Sequence, residues 1–278
     1  MININNKKTF VAFVILSTIM LLGIIIPEIN NFDPTFIYPQ GKFQSPGTVG
    51  LLGTDNLGRD IFIRLCAGAR YSLTMATTIV FAIFIFSLLL GSIPTYFGGK
   101  IDRLFVTLCD LVMAFPQLVL VMVLMGILGK GSGNLMFSMI FAQTPWYAKI
   151  VRGYMLEEKN RKYVESAIIS GSSSYNIILC HIIPNILPGF IVYTLTGMGR
   201  IILELSAFSF LGLGVDPSIP EWGMMLSQGR KYIFSHPELM LYPGFMIFIT
   251  SLGFNLLGDG LRDTFDKRGA VVYGTNET

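Results

Sequence analysis

The chain has 278 residues, 52% of them hydrophobic and only 13% charged, with a formal net charge of +3 and a mean hydropathy of +0.62. A soluble domain carries about 25% charged residues, so lipid rather than water must cover much of this surface. The small and scattered charge gives no ground for a nucleic-acid partner, and the three cysteines (Cys66, Cys109, Cys180) have neither disulfide-framework nor zinc-site spacing.

Six apolar segments follow in chain order: 9–26, 72–97, 104–128, 135–151, 186–213 and 239–258. At 1.5 Å per residue each approaches or exceeds the length needed to cross about 30 Å of hydrocarbon. The first follows Lys7 and Lys8 and runs into Pro27-Glu28 without a small-x-small cleavage site, so it reads as an uncleaved helix. Pro94 and Pro116 are expected to kink the second and third segments. The fourth is the weakest, interrupted by Gln143 and Pro145.

The distribution of basic residues sets the expected orientation. With the N-terminus inside, Lys7, Lys8, Lys100, Arg103, Lys149, Arg152, Lys159, Arg161, Lys162, Arg262, Lys267 and Arg268 all fall inside. Both termini are then cytoplasmic, in the plasma or inner membrane of a bacterium. The expected division is an N-terminal helix and external segment (1–71), a transmembrane core (72–268) with a cytoplasmic loop at 153–185, and a cytoplasmic tail (269–278). The Gly-rich run 126–133 is a turn and no phosphate loop, because Leu124 stands where the first glycine is required.

Residues 163–185 carry the first functional signal. Helical composition over 157–170 ends at Gly171 and three serines, and a second short helix is expected over 175–181, before Pro184. Glu165, Ala167, Gly171, His181, Pro184 and Asn185 have the spacing of the EAA motif, which resembles the coupling loop of ABC importer permeases. In that family the loop seats short helices in a groove on the cytoplasmic ATPase. Ala167 and Gly171 would let the backbone approach closely, and Glu165 would offer an acceptor. Ser166 stands where the motif has its second alanine, and serine is small enough to keep that docking. The alternative is an amphipathic loop lying on the membrane.

Further stretches point the same way. Gly53-Thr54-Asp55 with Gly58-Arg59-Asp60, then Gly68 to Leu73, resembles LGTDxxGRD…GARxSL, found in the second permease of dipeptide, oligopeptide and nickel importers. Ser206 to Gly214 is similar to that family's SxLSFLGLG, and Gly258-Asp259 with Arg262-Asp263 to its terminal NLLGDGLRD. The resemblance implies an all-α permease of six transmembrane helices, the type I ABC importer fold. It also implies alternating access beside a homologous second permease, two cytoplasmic ATPase subunits and an extracytoplasmic binding protein. ATP and Mg would bind the partner subunits and no cofactor this chain, which would be a transport subunit and no enzyme.

Within the fifth segment, Arg200 and Glu204 lie four apart on one helical face. Ionisable groups in a span are functional candidates by default. They either line the passage or form an internal pair that orients the helix against the partner. Asp110, near the inner end of the third segment, is expected within reach of Arg103. His236, with Met224 and Met225 near Trp222, is a weak metal candidate that more readily reads as loop packing or a binding-protein contact. The Glu221-Trp222-Gly223 stretch, Arg230 to Ile233 and His236 resemble nickel-type permeases. The expected cargo is therefore nickel or a small metal chelate, with di- and oligopeptides as the alternative. An ATP-independent secondary transporter is the remote reading, disfavoured by the lack of visible repeats.

Overall fold

The computed structural model describes residues 7–29, 33–48, 50–214 and 216–272, without the side chains of residue 29 and of 264–272. The expected tail beyond residue 272 and the side chains of Lys267 and Arg268 lie outside the described residues. Ten helices follow one another among them: α1 (Lys7–Ile29), α2 (Ile61–Phe97), α3 (Gly99–Met113), α4 (Gln117–Leu128), α5 (Ser132–Lys159), α6 (Lys162–Ile169), α7 (Ser174–Asn176), α8 (Ile183–Phe210), α9 (Trp222–Gly229) and α10 (Glu238–Val272). A π-helical segment, Ile177–Ile182, joins α7 to α8. No strand occurs among the described residues, only one isolated bridge between Thr54 and Asp60.

Four helical stretches are long and apolar enough to cross a membrane: Lys7–Glu28, Ile61–Phe97, Ser174–Phe210 and Glu238–Asp263. The bent pair α3 and α4 counts as a fifth when the two helices are taken as one span. The expected single span over 104–128 is thus corrected to two helices at 85°. Pro116 is the cause: without an N–H it cannot continue the ladder, and it sits in extended geometry (φ −55°, ψ 127°) as the cap of α4. Pro94, Pro145, Pro188 and Pro243 stay inside their helices. Gln143, which with Pro145 interrupts the fourth segment, turns inward in α5. Gln143 and Thr144 are buried while Phe137, Phe141 and Trp146 are exposed.

Several helices outrun the apolar segments that announced them. α2 starts eleven residues before position 72 because Asp60 caps it, its Oδ1 accepting from the Ile63 N–H at 3.1 Å. α5 extends to Lys159, into the expected loop, and α10 absorbs the terminal Gly258–Asp263 stretch.

The chain divides into two compact units. The first comprises residues 1–77, 130–135 and 195–278; the second, 78–129 and 136–194. In the first, α1 packs along α10, and fully buried Trp222 donates its indole N–H to the Leu65 carbonyl at 3.0 Å. Gly258 presses on Thr196 so closely that a Cβ would collide with its hydroxyl, which gives the terminal motif a packing role against α8. In the second, Phe84 stacks on Phe190, ring centres 5.0 Å apart, and Trp146 donates to the Tyr193 hydroxyl at 2.8 Å. Arg152 grips Asp102 with two hydrogen bonds of 2.8 and 2.7 Å. Such forked pairs are the stronger kind of charge-assisted contact. Asp110 pairs with Lys149 at 2.7 Å rather than with Arg103, whose Nε reaches only the Gly99 carbonyl. Lys149 on the neighbouring α5 offers the shorter path; spacing along α3 alone could not show it.

Candidate coupling loop and polar sites

The loop that carries the EAA spacing is helical over both expected stretches, with a break near residue 160: α6 covers much of 157–170, and 175–181 falls in α7 and the π-helical segment that runs into α8. α5 ends at Lys159, α6 begins at Lys162, and α7 is a single turn capped by the Ser173 hydroxyl, which accepts from the Asn176 N–H at 3.3 Å. Gly171 terminates α6 in left-handed geometry, φ +78°. Its N–H donates to the Ile168 carbonyl (3.0 Å) and the Ser172 N–H to the Ala167 carbonyl (3.1 Å). That pairing is a Schellman closure, which wants glycine at this position. A Cβ here would meet nothing, so backbone conformation, and not crowding within the chain, demands this glycine.

Glu165, Pro184 and Asn185 are exposed, and Ala167 and His181 partly so. Between them, Ile168 and Ile169 stand out, Ile169 at 86% exposure, and Tyr175 is exposed as well. Val164, Ile177, Ile178 and Ile182 form the buried side. The loop thus has an inner apolar face that fixes it and an outer apolar face that nothing in the second unit covers. The Asn185 amide donates to the His181 carbonyl at 2.6 Å and to the Tyr163 hydroxyl at 3.2 Å. Sequence reading missed Tyr163, which belongs to no spacing rule; only its contacts single it out.

In the first unit, Asp55 organises the Gly53–Asp60 motif. Its Oδ1 accepts from the Leu57 and Arg59 N–H groups at 2.8 and 3.0 Å, and its Oδ2 from Arg59 Nε at 2.7 Å. Arg64, 1% exposed, lies 3.8 Å from the same oxygen and donates to the Pro34 carbonyl at 3.0 Å. Arg59 also reaches the Gln228 side chain at 2.8 Å, tying the motif to α9. Thr54 bonds to the Gly41 carbonyl, and Gly53 and Gly58 are buried in the same turns. The motif is therefore a buried ionic clamp, well removed from chemistry of its own.

In the sequence Glu221 is legible only as part of the Glu221-Trp222-Gly223 stretch, without a role. It is fully buried and caps α9, its carboxylate accepting from the Gly223 and Met224 N–H groups at 2.9 and 2.8 Å and from the Ser72 hydroxyl at 3.4 Å. Burial pushes its carboxyl up from the ordinary range, against the pull of those hydrogen bonds. Met224 and Met225 are buried, and His236 bonds to Glu238 at 3.0 Å with its ring stacked on Phe43. These contacts lie within the chain. Among the described residues no three His, Cys, Asp or Glu side chains gather as a metal-binding group.

Arg200 and Glu204 form the expected pair at 3.5 Å, Arg200 half exposed and Glu204 less so. Of the terminal motif, Asp259 and Arg262 are exposed, and Asp263 pairs with Lys8 at 3.6 Å. A cleft of about 620 Å³ in the first unit, lined by Phe36, Tyr38, Leu51, Asp60 and Phe62 among others, includes neither member of the Arg200–Glu204 pair.

Apolar helices of spanning length, a short-helix loop with an uncovered apolar face and an ion pair inside a spanning helix define a polytopic membrane permease. Residues 83–270 match the family described as binding-protein-dependent transport system inner membrane component, and the chain belongs to it. It is 36% identical over 263 residues to the dipeptide transport system permease protein of Alkalihalophilus pseudofirmus, covering 95% of this chain and 86% of the relative. It is 32% identical to the nickel transport system permease protein of Escherichia coli, covering 92% of each. To the glutathione transport system permease protein of a second Escherichia coli strain it is 36% identical, covering 94% and 86%. The chain is an ABC importer permease, a transport component and not an enzyme.

Proposed function

We propose that this chain moves a short peptide across the cytoplasmic membrane by alternating access, paired with a homologous second permease. Two ATPase subunits, carrying ATP and Mg, would drive it, and an extracytoplasmic binding protein would deliver the cargo. Both termini and the 153–185 loop would face the cytoplasm. The observation that carries this reading is the loop: Ile168 and Ile169 exposed beside a glycine-closed helix end. Glu165, Ala167, Gly171, His181, Pro184 and Asn185 would form the surface met by the ATPase.

Arg200 and Glu204 would line the passage. A guanidinium beside a carboxylate offers opposite charges to the two ends of a zwitterion, and peptides are zwitterions. Nickel or a small metal chelate is the second reading, favoured by the nickel permease that matches along 92% of both chains. The residues that favoured nickel in the sequence are engaged elsewhere: Trp222 is buried, Glu221 caps α9 and His236 is held by Glu238. The test is uptake into cells lacking their own importers, with labelled dipeptide, glutathione and radioactive nickel offered in parallel. Accumulation of a peptide is the expected result; accumulation of nickel alone would replace the peptide reading.

A further inference from the structure

The π-helical segment Ile177–Ile182 has an identifiable cause. Pro184 has no N–H, so the Cys180 carbonyl lacks the donor an α-helix would bring four residues on. The ladder shifts to longer spacing, and the Ile183 N–H donates to the Ile178 carbonyl, five residues back. Single π turns of this kind concentrate at functional sites. Here the turn lies between the expected ATPase surface and α8, the helix that bears Arg200 and Glu204.

One side chain ties the pieces around this turn. Tyr163, on α6, donates its hydroxyl proton to Glu158 Oε2 at 2.7 Å, near the end of α5. The Tyr163 hydroxyl oxygen itself accepts from the Asn185 amide at 3.2 Å and sits 3.5 Å from the His181 carbonyl inside the π turn. Asn185 itself holds that carbonyl at 2.6 Å. Burial and the neighbouring Glu158 push the phenol up to about 12, so it keeps the proton it donates. A hydroxyl has one proton, and two acceptors lie within its reach.

We propose that Tyr163 is a positioning residue for coupling: its hydroxyl latches α6 to the π turn and the first turn of α8, so that displacement of α6 is passed to α8. The inference rests on the coupling role proposed for the loop. An untied π turn can absorb such a displacement by shifting its ladder by one residue, and the latch denies it that slack.

Tyr163→Phe removes one oxygen and leaves the ring. The experiment uses the assembled transporter in proteoliposomes, with second permease, ATPases and binding protein. Cys180 lies in the π turn and is the one exposed cysteine among the described residues, Cys66 and Cys109 being buried. Its maleimide labelling rate therefore reports the turn directly. With the hydroxyl's bonds to Glu158 and Asn185 removed, cargo moved per ATP is expected to fall, and Cys180 labelling to rise, each by about fivefold. ATPase co-purification and basal hydrolysis stay unchanged. Native stoichiometry and native labelling in the variant would overturn the latch. Loss of ATPase co-purification in the variant alone would overturn it too, making Tyr163 part of the docking surface. Failure of the native chain to hold the ATPases would instead refute the coupling role of the loop.

Discussion

Asp55 shows how much one side chain holds in the segment before α2. It accepts three hydrogen bonds from two residues and faces two buried guanidiniums. Removing one partner of a buried ion pair typically costs about 3–5 kcal/mol, because the other charge is left uncompensated. Asp55→Ala is accordingly expected to lower the melting temperature of the detergent-solubilised permease pair markedly, while Asp259→Ala, at an exposed position, leaves it unchanged. Glu221 gives a pH signature. Its folded pKa is raised, so folding favours the protonated form; that contribution is full below the unfolded value and declines as pH rises through the folded one. Between pH 4 and pH 7 the native chain should lose thermal stability relative to Glu221→Gln, which does not titrate. A constant difference across that range would show that the hydrogen bonds outweigh burial. At this scale the sequence exposed Asp55 through its motif and the Arg200–Glu204 pair through four-residue spacing. It named Glu221 within a family stretch but could not expose its capping role, nor Tyr163, because Ser72 and Asn185 reach them by tertiary contact.

Elements were legible where apolar length announced them and obscure at their ends. The starts of α2 and α9 depend on capping by Asp60 and Glu221, carboxylates that hydropathy counts only as polar interruptions. The third span broke at Pro116, whereas Pro94 left α2 intact; a proline is visible in sequence, but its consequence depends on what surrounds it. In the 153–185 loop a short helix is expected over 175–181, and the missing N–H of Pro184 makes most of it π-helical. Gly171 allows a test of the element as a whole. A left-handed residue with a Cβ costs roughly 1–2 kcal/mol, so Gly171→Ala should weaken ATPase binding by about tenfold. Gly171→Asn, better tolerated in that conformation, should weaken it less. Gly171→Arg, strained and bulky, should abolish transport while the protein still inserts in the membrane. Equal binding by all three, measured by co-purification from membranes, would mean that α6 does not meet the ATPase through this end.

For the whole molecule the question is what the Arg200–Glu204 pair serves, since both readings leave it exposed on a single chain. The pair is partly solvated in the isolated subunit, Arg200 at 50% and Glu204 at 27%. An exposed pair of this spacing contributes no more than about 0.5 kcal/mol to its own helix, so its presence in a spanning helix points to something outside the chain. If it lines the passage, Arg200→Gln removes the partner of a peptide carboxylate and Glu204→Gln that of its ammonium group. Arg200→Gln should then raise KM for free dipeptides by about tenfold, the worth of one charge-assisted hydrogen bond, and leave C-terminally amidated dipeptides unaffected. Glu204→Gln should show the converse with N-acetylated peptides, together with altered cargo-stimulated ATP hydrolysis. If the pair orients α8 against the second permease, both variants should keep native KM values for every peptide and lose the partner during purification. Measuring uptake kinetics and subunit stoichiometry on the same preparations separates the two, because a lining residue changes the first and an interface residue the second.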